Sequence, residues 1–228
     1  MQVILWDIDG TLLNFMKSEK YAIQACFSRF GLGECTDEMV GRYSAINKVY
    51  WERLERGELS KIEVLEGRFE EFFRQEGLSV DVVPAFNADY QERLGDTVFF
   101  NDDGYELVKK LKGKVKQYAV TNGTRTAQTR KMKKSGLDRL LDDVFISDEI
   151  GIEKPGIGFF DHVWKKIGDY DKKEVMIVGD SLTSDMLGGN RTGIVCCWYN
   201  PTKLENTKGI NTDYEITNLW EVARIINL

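Results

Sequence analysis

The sequence is poor in histidine, in paired cysteines and in long apolar segments, and each shortage argues against a class of protein. The only histidine, His162, is too little for a zinc site built from several imidazoles, and a serine-histidine-aspartate hydrolase would depend on it alone. The four cysteines form no C-x-x-C pair, so no disulfide framework is expected. This cysteine usage is typical of a reduced, cytoplasmic chain.

Basic residues are also in the minority. Lysine and arginine total 31 against 37 aspartates and glutamates, which gives a formal net charge of −6. A protein that binds nucleic acid through phosphates needs a basic face, so no nucleic-acid partner is expected. No stretch is long and apolar enough to cross a bilayer, and Asp7 and Asp9 interrupt the apolar start, so neither a membrane segment nor a signal peptide is expected. The sequence favours no particular oligomeric state.

Hydrophobic spacing changes character along the chain. The apolar run Val3–Trp6 is typical of a short buried strand. Residues 15–94 follow helical spacing, apart from a piece near Val80–Val83 that favours an extended conformation. The first strand is therefore followed by a long helical insertion.

After about Thr97, strands and helices alternate. The further predicted strands are Val115–Val120, Val144–Ser147, Glu174–Val178 and Ile194–Tyr199. Such alternation predicts a parallel sheet covered by helices on both faces. We therefore predict an α/β fold in which residues 1–14 and 95–228 form a Rossmann-like core domain and residues 15–94 form a helical cap domain.

Polar residues follow four of the predicted strands, at the end of the sheet where open α/β proteins bind their ligands. The segments are Asp7-Ile8-Asp9-Gly10-Thr11, Thr121-Asn122-Gly123, Glu153-Lys154-Pro155, and Gly179-Asp180-Ser181 with Asp185. Together they bring carboxylates, a hydroxyl, an ammonium group and backbone amides to one edge. Each segment alone is commonly a turn or a helix start, but the set in this order matches metal-assisted phosphoryl transfer.

The acidic residues have separate roles in that chemistry. Asp7 and Asp9 alternate with Ile8, so a strand-like backbone points both carboxylates to the same side. One can attack phosphorus while the other lies near the leaving oxygen. Asp180 and Asp185 add further negative charge, so a cation is expected, and oxygen ligands without histidine or cysteine favour Mg²⁺.

The remaining polar groups suit an anionic substrate. Thr121 and the backbone amides of Asn122 and Gly123 can donate hydrogen bonds to phosphoryl oxygens, and Lys154 can add a positive charge. We therefore predict that these four residues bind a small-molecule phosphate monoester.

These motifs resemble those of the haloacid dehalogenase-like superfamily, in its phosphatase branch, and the resemblance covers the whole chain. It implies that Asp7 is a nucleophile that forms an aspartyl-phosphate, and that Asp9 protonates the leaving group and then activates water. It also implies that Asp7, Asp180 and the carbonyl of Asp9 hold Mg²⁺, with Asp185 as a direct or indirect ligand. Thr121 and Lys154 would bind the phosphoryl group and take part in catalysis.

The resemblance also narrows the reaction. Superfamily members that cleave carbon–halogen or carbon–phosphorus bonds lack an aspartate at the place of Asp9, so phosphate esters are favoured. A sugar-phosphate phosphatase or a phosphomutase remains an alternative, because a mutase keeps both aspartates. A phospho-acceptor signalling module uses similar groups, but it would leave the helical insertion unexplained and would not carry its acceptor on the first strand.

A narrower resemblance concerns the substrate. The runs 179–189 and 197–201 look like those of the nucleoside 5′-monophosphate phosphatases of the YjjG type, which implies a 5′-nucleotidase acting on pyrimidine nucleotides. The chain departs from that group at Arg191 or Thr192, where a small residue is usual. Both positions lie beyond the metal motif, so the departure does not affect the chemistry.

Aromatic residues of the helical insertion are candidates for contact with a nucleobase. Phe15 follows the first motif closely, and Tyr43, Asn47 and Trp51 recur at a spacing of four that places them on one helix face. We predict that Phe15 and Tyr43 contact the base. The alternative is that Tyr43 and Trp51 pack the core of the cap itself.

Overall fold

A computed structural model describes the whole chain, Met1–Leu228, as two compact units. One unit joins Met1–Asn14 to Val98–Leu228, and the other, here called the inserted unit, is Phe15–Thr97. The inserted unit ends at Thr97, later than the predicted end of the cap domain at position 94, because its last helix continues to Asp96. None of the helices combines the length and the apolar character needed to span a membrane.

The inserted unit consists of four helices around an aromatic core. The helices are α1 (Phe15–Phe30), α2 (Asp37–Glu55), α3 (Lys61–Gln75) and α4 (Val83–Asp96). The prediction of an extended conformation near Val80–Val83 is wrong, since Val80–Val82 form a 3₁₀ turn that leads into α4. The Ser79 side chain accepts a hydrogen bond from the Asp81 N–H at 3.3 Å and starts this turn, which outweighs the weak strand preference of valine.

A six-stranded parallel sheet forms the centre of the other unit. The strands are β1 (Val3–Trp6), β2 (Lys116–Thr121), β3 (Asp143–Ile146), β4 (Val175–Gly179), β5 (Val195–Tyr199) and β6 (Tyr214–Ile216). Their order is β3-β2-β1-β4-β5-β6, and all neighbours are parallel. This topology confirms the predicted α/β fold. The strand order reverses direction between β1 and β4, which is where such sheets bind ligands.

Helices cover both faces of the sheet. They are α5 (Gly104–Leu111), α6 (Arg125–Ser135), α7 (Ser147–Ile150), α8 (Ile157–Ile167), α9 (Leu187–Thr192) and α10 (Glu221–Ile225). Alternate residues of β1 enter different hydrophobic cores: Ile4 and Trp6 pack with Leu107 of α5, whereas Val3 and Leu5 pack with Phe159 of α8. Because both faces are buried, β1 is apolar throughout and can be recognised from the sequence.

Two parts of this unit differ from the prediction. Strand β6 was not foreseen, because it is short and only Ile216 is buried, which leaves no readable alternation. The helix predicted after β4 begins with a π-helical turn, Leu182–Met186, before it continues as α9. Turns of this kind occur often at functional sites.

Candidate active site

The loop after β1 carries Asp7 and Asp9 and is closed by local hydrogen bonds. The N–H of Leu13 donates to the carbonyl of Ile8 at 2.8 Å, and the N–H of Gly10 donates to the carbonyl of Leu13 at 2.9 Å. Gly10 has φ of +99°, a conformation that side chains with a Cβ rarely adopt. The glycine therefore lets the chain turn directly after the two aspartates.

Gly10 also leaves room for the carboxylate of Asp180. A Cβ added at position 10 would lie 2.7 Å from Cγ of Asp180. The hydroxyl of Thr11 donates to Oδ1 of Asp180 at 3.2 Å, and the indole N–H of Trp198 donates to the Asp180 carbonyl at 2.9 Å. Asp180 is thus held beside the β1 loop from two sides.

Replacing Gly10 with alanine is expected to lower the free energy of unfolding by about 1–3 kcal/mol, because the new methyl adds backbone strain and displaces Asp180. Any activity that depends on the position of Asp180 should fall further than the loss of stability explains. Gly151→Ala is the matched control, since Gly151 also has a positive φ, +80°, but nothing lies within 4 Å of its added Cβ. Urea denaturation and initial rates measure the two effects. Equal rates for both variants would contradict a role for the close approach.

Lys154 lies buried among acidic groups. Its side chain is 1% exposed, and its ammonium donates to Oδ1 of Asp7 at 2.8 Å, to Oδ1 of Asp185 at 2.6 Å and to the carbonyl of Val120 at 2.7 Å. Burial works against the charge of Lys154, but Asp185 and Asp7 outweigh it and raise the pKa of this ammonium. Lys154 is therefore a fixed positive charge in contact with the first aspartate.

Asp7 is the buried acid of the first motif. Burial raises the pKa of its carboxyl to about 7; the charge of Lys154 opposes this shift, and Asp185 and Asp9 add to it. Oδ1 accepts the hydrogen bond from Lys154, whereas Oδ2 is buried without a hydrogen-bond partner. Because an unpaired buried oxygen is costly, Oδ2 is suited to a cation or a reacting group.

The carboxylates of Asp7, Asp180 and Asp185 together form a possible metal site. One oxygen from each lies within 4.8 Å of the others. The donor set contains oxygen only, it includes the unpartnered Oδ2 of Asp7, and its three carboxyl groups outnumber the one contacting ammonium, Lys154. These features fit Mg²⁺, which prefers carboxylate oxygens and retains water ligands.

Asp185 also holds Lys154 in place. Its Oδ1 accepts from Lys154, and its Oδ2 accepts from the N–H of Ser181 at 3.2 Å. A Cβ at Gly179 would lie 2.6 Å from Cβ of Asp185, so only glycine lets this side chain lie against the end of β4. Asp185 therefore links the Lys154 ammonium to the β4 loop.

The segment after β2 forms hydrogen bonds with Lys154 and within itself. The Asn122 side chain accepts from the Lys154 N–H and donates to the Lys154 carbonyl, both at 2.8 Å. The Asn122 side chain therefore positions Lys154, and substrate binding by the Asn122 backbone amide stays a prediction. The N–H of Gly123 donates to Oγ1 of Thr121 at 3.1 Å, which leaves the Thr121 hydroxyl proton for another acceptor.

The departure at Arg191 and Thr192 lies close to the same loop in the fold. The Arg191 guanidinium donates to the carbonyl of Pro155 at 3.0 Å, directly after Lys154. The Thr192 hydroxyl donates to the carbonyl of Gly188 at 3.0 Å, inside its own helix. Both hydrogen bonds go to backbone carbonyls and not to the carboxylates of the possible metal site.

Asp9 contacts two residues that the sequence reasoning missed. The Gln128 amide donates to Oδ2 of Asp9 at 2.6 Å, and the Lys131 ammonium forms an ion pair with Oδ1. Gln128 and Lys131 are 0% exposed and lie on α6. Their spacing of three is a signal that they share a helix face, but a lysine-rich helix is usually solvated.

The two aromatic residues predicted to contact a base lie in the inserted unit. Phe15 is the first residue of α1 and is half-buried, and its contact with a substrate stays a prediction. Tyr43 is 0% exposed and stacks on Phe69, with ring centroids 4.9 Å apart. The prediction for Tyr43 is therefore wrong, because its ring has no free surface and belongs to the core of the unit.

Comparison with known proteins places the chain in a family. The model of the haloacid dehalogenase-like hydrolases matches residues 1–193. The chain belongs to this hydrolase family. The match confirms the resemblance that the motifs indicated.

Individual relatives cover almost all of the chain. Pyrimidine 5′-nucleotidase PynA of Streptococcus pneumoniae is 33% identical over 93% of this chain and 90% of its own length. Pyrimidine 5′-nucleotidase YjjG of Escherichia coli is 27% identical over 98% of this chain and 96% of its own. The crystal structure of the HAD-hydrolase YfnB of Bacillus subtilis bound to magnesium has a TM-score of 0.92 and 30% identity, and covers 100% of this chain and 99% of that one.

Proposed function

We propose that this hydrolase is a Mg²⁺-dependent phosphatase that acts on nucleoside 5′-monophosphates, with pyrimidine nucleotides preferred. The observation that carries the proposal is the buried contact of Lys154 with Asp7 and Asp185, beside Asp180 and at the point where the sheet order reverses. The substrate class is supported by the similarity to PynA and YjjG. Magnesium is supported by the oxygen-only donor set and by the metal in the YfnB structure.

In the first step, a carboxylate oxygen of Asp7 attacks phosphorus and the bond to the ester oxygen breaks. Asp9 gives its proton to that leaving oxygen, and an aspartyl-phosphate remains on Asp7. The Thr121 hydroxyl donates a hydrogen bond to a phosphoryl oxygen, and the positive charge of Lys154 offsets charge on the phosphoryl group. Because Lys154 also contacts Asp7, it keeps the nucleophile and the phosphoryl group together.

In the second step, water attacks the phosphorus of the aspartyl-phosphate. Asp9 takes a proton from the water, the bond between phosphorus and the Asp7 oxygen breaks, and inorganic phosphate leaves. Asp7, Asp180 and Asp185 would hold Mg²⁺, which when bound offsets charge on the carboxylates and the phosphoryl group. His162 has no part in this chemistry; its ring packs edge-on against Phe145, with centroids 6.2 Å apart.

The test is phosphate release by the purified protein from UMP, CMP, AMP, GMP, glucose 6-phosphate and p-nitrophenyl phosphate, with Mg²⁺ and with excess EDTA. We expect release that EDTA abolishes and added Mg²⁺ restores. The kcat/KM for pyrimidine nucleotides should exceed that for purine nucleotides by about 10-fold or more, the order that differences in pocket contacts provide.

Other outcomes would identify other reactions. Preference for glucose 6-phosphate would favour a sugar-phosphate phosphatase. Transfer of phosphate to a second position of the sugar, detected by ³¹P NMR, would favour a phosphomutase. No release from any monoester, with or without Mg²⁺, would contradict the proposal.

A further inference from the structure

A buried lysine and a buried glutamine on α6 hold the carboxylate of Asp9 by its two oxygens. Lys131 contacts Oδ1, and the Gln128 amide donates to Oδ2 at 2.6 Å. Both side chains are 0% exposed, whereas the Asp9 side chain is 21% exposed. The pair therefore reaches Asp9 from the protein side and leaves part of the carboxylate open to solvent.

The burial of these two residues runs against their ordinary preference. Moving a lysine or an amide out of water costs free energy unless polar partners meet it. Two neighbouring lysines of the same helix, Lys133 and Lys134, are exposed. Lys131 and Gln128 are instead directed inward, where both contact the carboxylate of Asp9.

Gly123 belongs to the same arrangement. A Cβ at this position would lie 2.8 Å from the amide carbon of Gln128 and closer still to its nitrogen. Gly123 is not among the glycines with positive φ, so its backbone does not require glycine. The missing side chain therefore serves to make room for Gln128 beside Asp9.

We infer that Lys131 and Gln128 are positioning residues for proton transfer by Asp9, an inference that rests on the proposed phosphatase function. In the first step the proton of Asp9 passes to the ester oxygen, which also takes the electron pair of the breaking P–O bond. Hydrogen bonds to both oxygens restrict rotation of the Asp9 carboxyl and fix which side faces the leaving oxygen. Small errors in such geometry slow a reaction strongly.

The test compares two leaving groups. The ribose oxygen of UMP needs a proton as it leaves, whereas p-nitrophenolate leaves with little need of one. Lys131→Met and Gln128→Ala should each lower kcat/KM for UMP, which reports only the steps up to release of the leaving group, by about 10- to 100-fold, part of the 10²–10⁴ that general acid catalysis supplies. The kcat/KM for p-nitrophenyl phosphate, which covers the same steps and excludes the later attack of water, should change by less than about 3-fold.

Two controls separate positioning from damage to the fold. Lys134→Met removes an exposed lysine from the same helix and should leave both rates unchanged. Lys131→Arg keeps the charge and a donor, and should restore part of the rate with UMP.

Gly123→Ala provides a second, independent route. Its new methyl should push the Gln128 amide away from Asp9 and reproduce the selective loss with UMP. In a Gln128→Ala background the same change should add little, because the side chain that it displaces is already gone.

The outcomes distinguish this inference from the function on which it rests. An active wild type whose variants lose neither rate, or lose both rates equally, would overturn the positioning role alone. A wild type inactive on both substrates would overturn the proposed function and the positioning role with it.

Discussion

Replacing Asp7 with asparagine is expected to lower phosphate release from UMP by on the order of 10⁴-fold or more, because an amide cannot form the aspartyl-phosphate. The measurement is kcat in the presence of Mg²⁺. Acid quenching of a reaction with ³²P-labelled substrate should leave label on the wild-type protein and none on the variant. Asparagine keeps the size of the side chain and an oxygen that can accept from Lys154.

The fold of the Asp7→Asn variant is expected to persist. The raised pKa of Asp7 means that its carboxyl favours folding below its ordinary pKa of 3.8 and that this contribution is lost as the pH rises through about 7. At pH 8 without divalent cations, the variant should therefore unfold at a temperature no lower than the wild type. Lys154 also keeps a charged partner, because Asp185 remains.

The control for this experiment is Asp169→Asn, which removes an exposed aspartate outside the site and should leave kcat unchanged. Turnover near the wild-type rate by the Asp7→Asn variant would show that Asp7 is not the nucleophile. A labelled variant would do the same.

Replacing Lys154 with methionine is expected to lower the free energy of unfolding by about 3–5 kcal/mol, the usual cost of removing one partner from a buried ion pair. The change leaves Asp7 and Asp185 close together without the intervening cation and leaves the Val120 carbonyl without this donor. Urea denaturation in EDTA measures the loss. Phosphatase activity should also disappear, since the phosphoryl group loses its ammonium partner.

Magnesium offers a further check on the Lys154→Met variant. A ligand that binds only the folded state stabilises it by mass action, and a cation should relieve the repulsion between Asp7 and Asp185 more in the variant than in the wild type. Lys165→Met, an exposed lysine on α8, is the control and should change stability little. A loss below about 1 kcal/mol for Lys154→Met would contradict the central position assigned to this residue.

Much of the site can be predicted because apolar strands mark it. The buried strands β1, β2 and β4 stand out as hydrophobic runs, and polar residues at their carboxyl ends must meet at one edge of a parallel sheet. Asp7, Thr121 and Asp180 lie at the ends of these three strands, and Lys154, which follows β3, contacts Asp7 in the structure. Strand direction and sheet type, which local hydrophobic patterns reveal, are enough to place these residues at one edge.

In the inserted unit, the hydrophobic pattern does not distinguish a core face from a ligand-binding face. Tyr43, Asn47 and Trp51 do lie on one helix, α2, but periodicity does not say what a helix face meets. The structure packs Tyr43 against Phe69 and Tyr90 in an aromatic core. A spacing of four is the same for a core face and for a ligand face, so only tertiary contacts separate the two.

The shortage of histidine was informative. A chain with one histidine and several aspartates at the ends of its predicted strands predicts carboxylate chemistry from composition and residue order alone. The surroundings of each carboxylate were not encoded locally. The Asn122 side chain hydrogen-bonds to the backbone of Lys154. Lys131 contacts Asp9 from a helix whose lysine-rich sequence predicts solvent-exposed side chains. Such contacts join residues far apart in the chain, and the free energy of burying a charge depends on which partner the folded chain provides.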